Sequence, residues 1–140
     1  MKKILVLAAV MIASVATAQK LKETDVPQAV KSTFQKQYPK SKAKWAKEGN
    51  NYEAEFELNK TETSVVIDGS GNITETETEI AANQLPKEVT DFVNSNYKGQ
   101  SIKEAAKITD AKGTVTFEAE LKGKDLIFDS SGKFIKEVKN

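Results

Sequence analysis

Carboxylates carry most of the chemistry open to this chain. Glu53, Glu55 and Glu57 recur at every second residue, as do Glu75, Glu77 and Glu79, and Glu118 and Glu120 repeat the spacing. On a strand that period sets each row on one face. Such a row can form a charged docking surface, hold a cation, or supply a general acid and base. It can equally be the solvated side of a half-buried sheet, balanced by Lys42, Lys44, Lys103 and Lys107 on neighbouring strands at about 0.2–1 kcal/mol per pair. The residues between the second row are Thr74, Thr76 and Thr78, so neither face is plainly apolar and the stretch reads as an edge strand blunted by charge. Asp68, Ser70, Asn72 and Glu79 fall at calcium-loop spacing, but Ile73 stands where that loop needs glycine and a strand pattern follows. The segment reads instead as a hairpin turn whose Asp caps backbone N–H groups.

What is missing narrows the chemistry further. The chain has 140 residues, no His, no Cys, and 21 cationic side chains that are all Lys. Thiol nucleophiles, disulfides, Cys/His metal cages and Ser-His-Asp triads are excluded. Bidentate guanidinium clamps on carboxylate or phosphate are excluded with them. A net charge of +1 gives no footprint for nucleic acid. No Gly-rich loop leads from a strand into a helix, so nucleotide binding has no support. Nothing in the sequence marks a carboxylate pair as perturbed. The expectation is therefore a non-enzymatic protein with no cofactor and no bound metal.

The elements that position these rows are written twice. Val26-Pro27 recurs as Leu85-Pro86, and each opens an apolar helical stripe: Val26, Val30, Phe34 and Tyr38, then Leu85, Val89, Phe92, Val93 and Tyr97. Proline is tolerated in a first turn, where a missing N–H costs nothing. Pro39 and Gly99 mark the two stops. The period then changes to two. Tyr52-Glu53-Ala54-Glu55-Phe56 recurs as Phe117-Glu118-Ala119-Glu120-Leu121. Val65-Val66-Ile67-Asp68-Gly69-Ser70-Gly71 recurs as Leu126-Ile127-Phe128-Asp129-Ser130-Ser131-Gly132. Strands preceding the Glu-rich ones are expected at 42–47, with Trp45 inward in the core, and at 102–109.

The N-terminus reads as an address. Lys2 and Lys3 precede an apolar run at 4–15 that is short for a bilayer span, and Ala16-Thr17-Ala18 offers small residues where a signal peptidase cuts. Cleavage would leave Gln19 first and take the net charge from +1 to −1. No second long apolar run exists, so no membrane span is expected after cleavage. The organisation expected is a cleaved signal peptide at 1–18, a first repeat at 19–82 and a second at 83–140.

The paired Leu/Val-Pro helix starts, the aromatic-Glu-Ala-Glu strand and the apolar-Asp-x-x-Gly turn resemble the PepSY-like, beta-lactamase-inhibitor-like proteins exported by Bacteroidetes. The resemblance runs from about residue 25 to about residue 139. It implies a tandem helix-plus-four-strand fold similar to that of the beta-lactamase inhibitory protein, a periplasmic or secreted location, and no established activity. That inhibitor lays an open sheet face over an enzyme and sends loop residues into its active site. Its halves are longer and disulfide-bonded, so none of its contact residues carries over to a chain without Cys.

The sequence therefore predicts an α+β fold of two tandem repeats. Each is a helix packed on a four-stranded antiparallel sheet, and the two are joined into one sheet whose other face is polar and open to water. The expected function is binding of a protein or peptide through that face, by Glu53, Glu55, Glu57, Lys44, Lys103, Glu118 and Glu120. The alternatives are an inhibitor of a periplasmic hydrolase, a peptidase or a lactamase, acting through the turns at 48–51 or 110–113, and an enzyme working through a carboxylate pair.

Overall fold

The structure, a computed structural model, describes residues 19–140. The signal-peptide reading falls outside the described residues. The chain divides into two compact units, one ending at Thr76 and the other running from Glu77 to Asn140. The division lies ahead of the repeat boundary read from the motifs.

The first unit opens with a short strand β1 (Gln19–Leu21) and a 3-10 turn at Glu23–Asp25, followed by helix α1 (Gln28–Gln37). Strands β2 (Lys44–Glu48), β3 (Asn51–Leu58) and β4 (Thr61–Ile67) follow, and β5 (Ile73–Ile80) crosses the division. The second unit continues with a 3-10 turn at Ala82–Gln84 and helix α2 (Lys87–Asn96). It ends with β6 (Glu104–Asp110), β7 (Val115–Leu121), β8 (Lys124–Asp129) and β9 (Phe134–Lys139). Strand order follows chain order from β1 to β9 in a nine-stranded antiparallel sheet. The tandem α+β reading holds, with one strand more than expected. That strand is β1, whose three residues are too few for an alternation to be read; it pairs with β2 through Gln19↔Lys47, Lys20↔Ala46 and Leu21↔Trp45.

The two helices begin and end in the same way. Pro27 and Pro86 stand just before the first helical residue with φ of −55° and −51°, the angle a helix start needs. Tyr38 and Tyr97 close the last turn by donating their N–H to Phe34 O and Val93 O, both at 2.8 Å. Tyr38 has already left helical geometry (φ −131°), as a residue before proline must.

Each helix lays its apolar stripe on its own unit's strands. In the first, Val26, Val30 and Phe34 meet Trp45, Ala54, Phe56, Val65 and Ile67. Phe34 touches Trp45 and Phe56 edge-on, at 5.4 and 5.0 Å between ring centres, the arrangement that aromatic quadrupoles favour. Trp45 lies in this core, as its alternation predicted. In the second unit, Leu85, Val89 and Val93 meet Ala105, Ala119, Leu121, Leu126 and Phe128, and Phe92 stacks on Phe134 at 4.6 Å.

Three turns share one wiring. Asp68 Oδ1 accepts from the N–H of Ser70 and of Asn72, both at 2.9 Å. Asp129 Oδ1 does the same for Ser131 and Lys133, and Asp110 Oδ1 for Lys112 and Thr114. The Asp68 carboxylate is thus engaged by backbone donors, the turn-capping role expected of it.

Two of these turns also lock onto a helix. Gly71 (φ +91°) sits where an added Cβ would come within 3.0 Å of Ala29 O and of Thr33 Oγ1, and Thr33 Oγ1 donates to Gly71 O at 2.6 Å. Gly132 (φ +86°) is its counterpart; a Cβ there would lie 2.8 Å from Glu88 Cβ and 3.0 Å from Pro86 Cβ. Both the backbone angle and the space demand glycine. The β3–β4 turn is less well suited to its residues, since Asn59 and Lys60 both take positive φ (52° and 64°). The equivalent turn of the second unit has Gly123 (φ +77°) in the position of Lys60.

Gly71→Ala and Gly132→Ala should each cost roughly 1–3 kcal/mol in a urea melt, from the left-handed angle together with the forced contact. Lys60→Gly should raise stability by up to about 1 kcal/mol in the same assay, because only glycine takes that angle without strain.

Candidate binding face

Alternation in β3 sends Tyr52, Ala54 and Phe56 toward α1 and Glu53, Glu55 and Glu57 to the opposite, far side of the first unit's sheet. The register builds rows across that side. One row runs Lys20, Ala46, Glu53, Val66; the next runs Lys44, Glu55, Ser64; the last pairs Glu57 with Glu62. The second unit repeats the plan. One row runs Ala106, Glu118, Ile127, Lys136, and the next Glu104, Glu120, Asp125, Val138.

The far side is not the wholly solvated surface that alternation implied. Glu53 and Glu118 are each only 6 % exposed, although Glu55 and Glu120 are half-buried and Glu57 is open. Val66 and Ile127 beside them are buried too, and so are Ser64 and Asp125 in the adjoining rows. The two halves therefore place the same motif at the same point, a buried Glu between an alanine and a β-branched residue. Chain continuity explains the burial. Val65-Val66-Ile67 and Leu126-Ile127-Phe128 put apolar residues at both parities, the pattern of a strand buried on both faces.

The expected charge balance also needs correction. Lys44 is opposite Glu55 as read from the sequence, but its counterpart in the second unit is Glu104, opposite Glu120. Lys103 lies one residue ahead of β6, exposed, with its N–H bonded to Glu120 O at 2.8 Å; Glu104, not Lys103, takes the far-side position. Lys107 pairs with Phe117 on the side toward the helix. The reason is parity. Sequence spacing alone does not fix which member of a Lys-Glu pair faces which way when the strand start is off by one or two residues.

Electrostatics single out Glu53. Burial is the largest cause of a pKa pushed up to about 8, and the like charges of Glu48, Glu55 and Glu75 add to it. Glu48 is itself raised by burial. In the second unit burial raises Asp125, with a hydrogen bond from Asn140 Nδ2 (3.2 Å) acting the other way. Ser64 Oγ, buried in the row next to Glu53, finds no hydrogen-bond partner among the described residues. The sequence reading set Glu75 in a separate acidic row and Glu48 in a turn, and did not include Ser64 or Asp125. The both-parity apolar runs were the signal that could have found the last two.

The arrangement can take up and give back a proton near neutrality and can attract cations. Among the described residues no group of three or more Asp, Glu, His or Cys side chains is placed to hold a metal ion. An open cleft of about 420 Å³ lies in the second unit between α2 and the start of β6, lined by residues such as Thr90, Asn94, Gln100 and Ile102; it contains no ionisable side chain. No helix among the described residues is long and apolar enough to cross a membrane.

A helix on an antiparallel meander, given twice in one chain, is the tandem architecture of a known class of proteins. Residues 13–75 and 50–136 both match the family described as "Putative beta-lactamase-inhibitor-like, PepSY-like", and the chain belongs to that family. A BLIP-like protein from Bacteroides fragilis is 27 % identical, with a TM-score of 0.63 over 81 % of this chain and 86 % of that one. A DUF2874 family protein from Bacteroides uniformis is 21 % identical, with a TM-score of 0.71 over 81 % and 88 %. A protein from Bacteroides eggerthii described as a putative periplasmic protein is 14 % identical, with a TM-score of 0.73 over 81 % and 88 %. No functionally curated protein matches the chain.

Glu53 sets a pH test. Its raised folded pKa means that the native state holds a proton that the unfolded chain has released, between the ordinary Glu value and about 8. The stability it contributes is full below the ordinary value, declines as pH rises, and is lost by about pH 8. Glu53→Gln should remove that decline. The variant should match the parent near pH 5 and exceed it near pH 9 by an amount on the order of a few kcal/mol, read from urea melts at both pH values.

Proposed function

We propose that this chain is an exported, non-enzymatic binding protein that docks a cationic segment of a protein or peptide on the far side of its first unit. The observation that carries this reading is the buried Glu53 carboxyl, whose pKa is pushed up to about 8 by burial first and then by the like charges of Glu48, Glu55 and Glu75 around it. A Lys or Arg side chain brought to the half-buried Glu55 and the open Glu57 comes within Coulomb range of Glu53 and relieves that repulsion. Two further supports concern location. The sequence ahead of Gln19 has the charged start, apolar run and Ala-x-Ala ending of a cleaved signal peptide. The eggerthii relative is described as periplasmic.

Inhibition of a periplasmic hydrolase is the rival reading. One feature favours it: the β6–β7 turn carries exposed Ala111 and Lys112 on a frame fixed by Asp110 and by Gly113 N–H to Asp110 O at 3.0 Å. A screen against periplasmic peptidases and lactamases tests it, and inhibition abolished by deleting Lys112 would replace the first reading.

For the first reading, residues 19–140 are titrated calorimetrically with a Lys-rich peptide and with a Glu-rich one. The expected outcome is saturable binding of the Lys-rich peptide alone, weakened by salt. Binding should strengthen from pH 6 to pH 9 and release a proton at pH 7, because a bound cation lowers the Glu53 pKa. The Glu53→Lys, Glu55→Lys, Glu57→Lys triple variant should lose binding by tenfold or more, about 1.4 kcal/mol. Equal binding by parent and triple variant, or none by the parent, overturns the reading.

A further inference from the structure

We infer that the cleft between α2 and the start of β6 is a binding site for a neutral sugar, a mono- or disaccharide. The cleft lies within the second unit and shares no residue with the acidic rows. Its volume of about 420 Å³ falls in the range of small-ligand sites, about 300–1,000 Å³. Asn83, Thr90, Asn94, Gln100 and Ser101 bring amide and hydroxyl groups to it, over a floor of Val93 and Ile102. Val93 is buried and Ile102 packs on the second unit's core, so the floor is held in place. Amides beside the cleft serve the fold. Gln84 Oε1 accepts from the Ala81 N–H at 2.9 Å, and Asn96 Nδ2 donates to Phe92 O at 3.0 Å. The five polar side chains at the cleft make no such bond among the described residues and are open to a ligand.

The lining selects the chemistry of the ligand. With no ionisable side chain it offers no countercharge to a carboxylate, a phosphate or an ammonium group, and covering such a group unpaired is costly. A wholly apolar ligand would strip water from polar side chains and give no hydrogen bond back. A sugar satisfies both demands. Each hydroxyl donates and accepts, so two adjacent hydroxyls match the oxygen and the nitrogen of one carboxamide. The C–H face of the ring suits Val93 and Ile102. The duplication supplies a comparison within the chain. Pro27 and Pro86, and Tyr38 and Tyr97, set one offset between the halves, and it persists beyond the helices. The N–H groups of Ser41 and Gln100 bond to the carbonyls of Tyr38 and Tyr97, both at 3.1 Å. At that offset the first unit has Glu23, Lys31 and Lys42 where the cleft has Ala82, Thr90 and Ser101, and Phe34 where it has Val93. The same frame of turn and helix is therefore kept, while charge is absent from the rim and the floor residue is smaller.

The test is an NMR titration of the isotope-labelled protein with glucose, galactose, mannose, xylose, maltose and cellobiose. Glucuronate, glucosamine and triglycine serve as controls. The expected outcome is saturable shifts of the Asn83, Thr90, Asn94 and Gln100 amides with at least one neutral sugar, at millimolar concentration or below. Glucuronate and glucosamine should bind more weakly by roughly tenfold or more. Thr90→Lys with Ser101→Lys gives the cleft the lysines of the first unit at two exposed positions. This double variant should weaken binding by roughly tenfold or more and leave the urea melt unchanged. Asn94→Ala, on the exposed side of α2, should weaken binding as well and keeps the test open if the double variant folds poorly. Lack of a saturable shift with every neutral sugar, or shifts confined to residues outside the cleft, overturns the inference. So does binding that neither variant weakens. Triglycine bound more tightly than any sugar also overturns it and makes the cleft a peptide site.

Discussion

The docking of a glycine turn against the first half of a helix is the constraint on which each half of this molecule depends. Gly71 against Ala29 and Thr33, and Gly132 against Pro86 and Glu88, fix where the hairpin ends relative to the helix. The Asp-capped turns fix the hairpin's own length. Register is then no longer free, and with it the side to which each residue points. A slip of one residue in β3 would push Glu53 and Glu55 among Val30, Phe34 and Trp45 and turn Ala54 and Phe56 outward. The acidic face is therefore a consequence of turn and helix packing as much as of the glutamates themselves.

The two halves keep one plan and diverge in charge. Glu53 and Glu118 occupy the same place between an alanine and a β-branched residue. Around them, Lys44 becomes Glu104 and Ser64 becomes Asp125. Duplication of a packing solution leaves the far side free to change, because those positions do not touch the helix. The first half has a partly balanced surface around one strongly perturbed carboxyl. The second half has a more acidic set of rows. The tyrosine that ends each helix diverges as well: Tyr97 donates to Glu137 at 2.5 Å, which raises the phenol's pKa and lowers the carboxylate's, whereas burial is what raises Tyr38.

Most of the fold was legible because its signals are periodic and repeated. Proline starts, the tyrosine ends, the Tyr-Glu-Ala-Glu-Phe alternation and the Asp-x-x-Gly turns each name an element and its facing. β1 was not legible, since Gln-Lys-Leu carries no period and owes its pairing to Trp45 on another strand. The candidate face was legible in composition and not in burial. Alternation identified Glu53 and Glu118 as pointing away from the helix, but whether a face is wet depends on its neighbours. Val66 and Ile127, which show that part of it is buried, lie on different strands from the glutamates they flank. Lys103 and Lys107 were misplaced for a related reason, since the parity of β6 is set by its pairing with β7.

Strands that hydrogen-bond to one another are neighbours in the chain. Apart from β1–β2 and β5–β6, which enclose a helix, these contacts close short hairpin loops, and short loops lose little chain entropy before they gain a native contact. A sheet of this many strands is ordinarily a slow folder, yet here each hairpin can form on its neighbour in turn. For a chain with no cysteine, such sequential zippering allows rapid folding with no wait for disulfide formation or reshuffling, and it limits the time for which bare strand edges are open to aggregation.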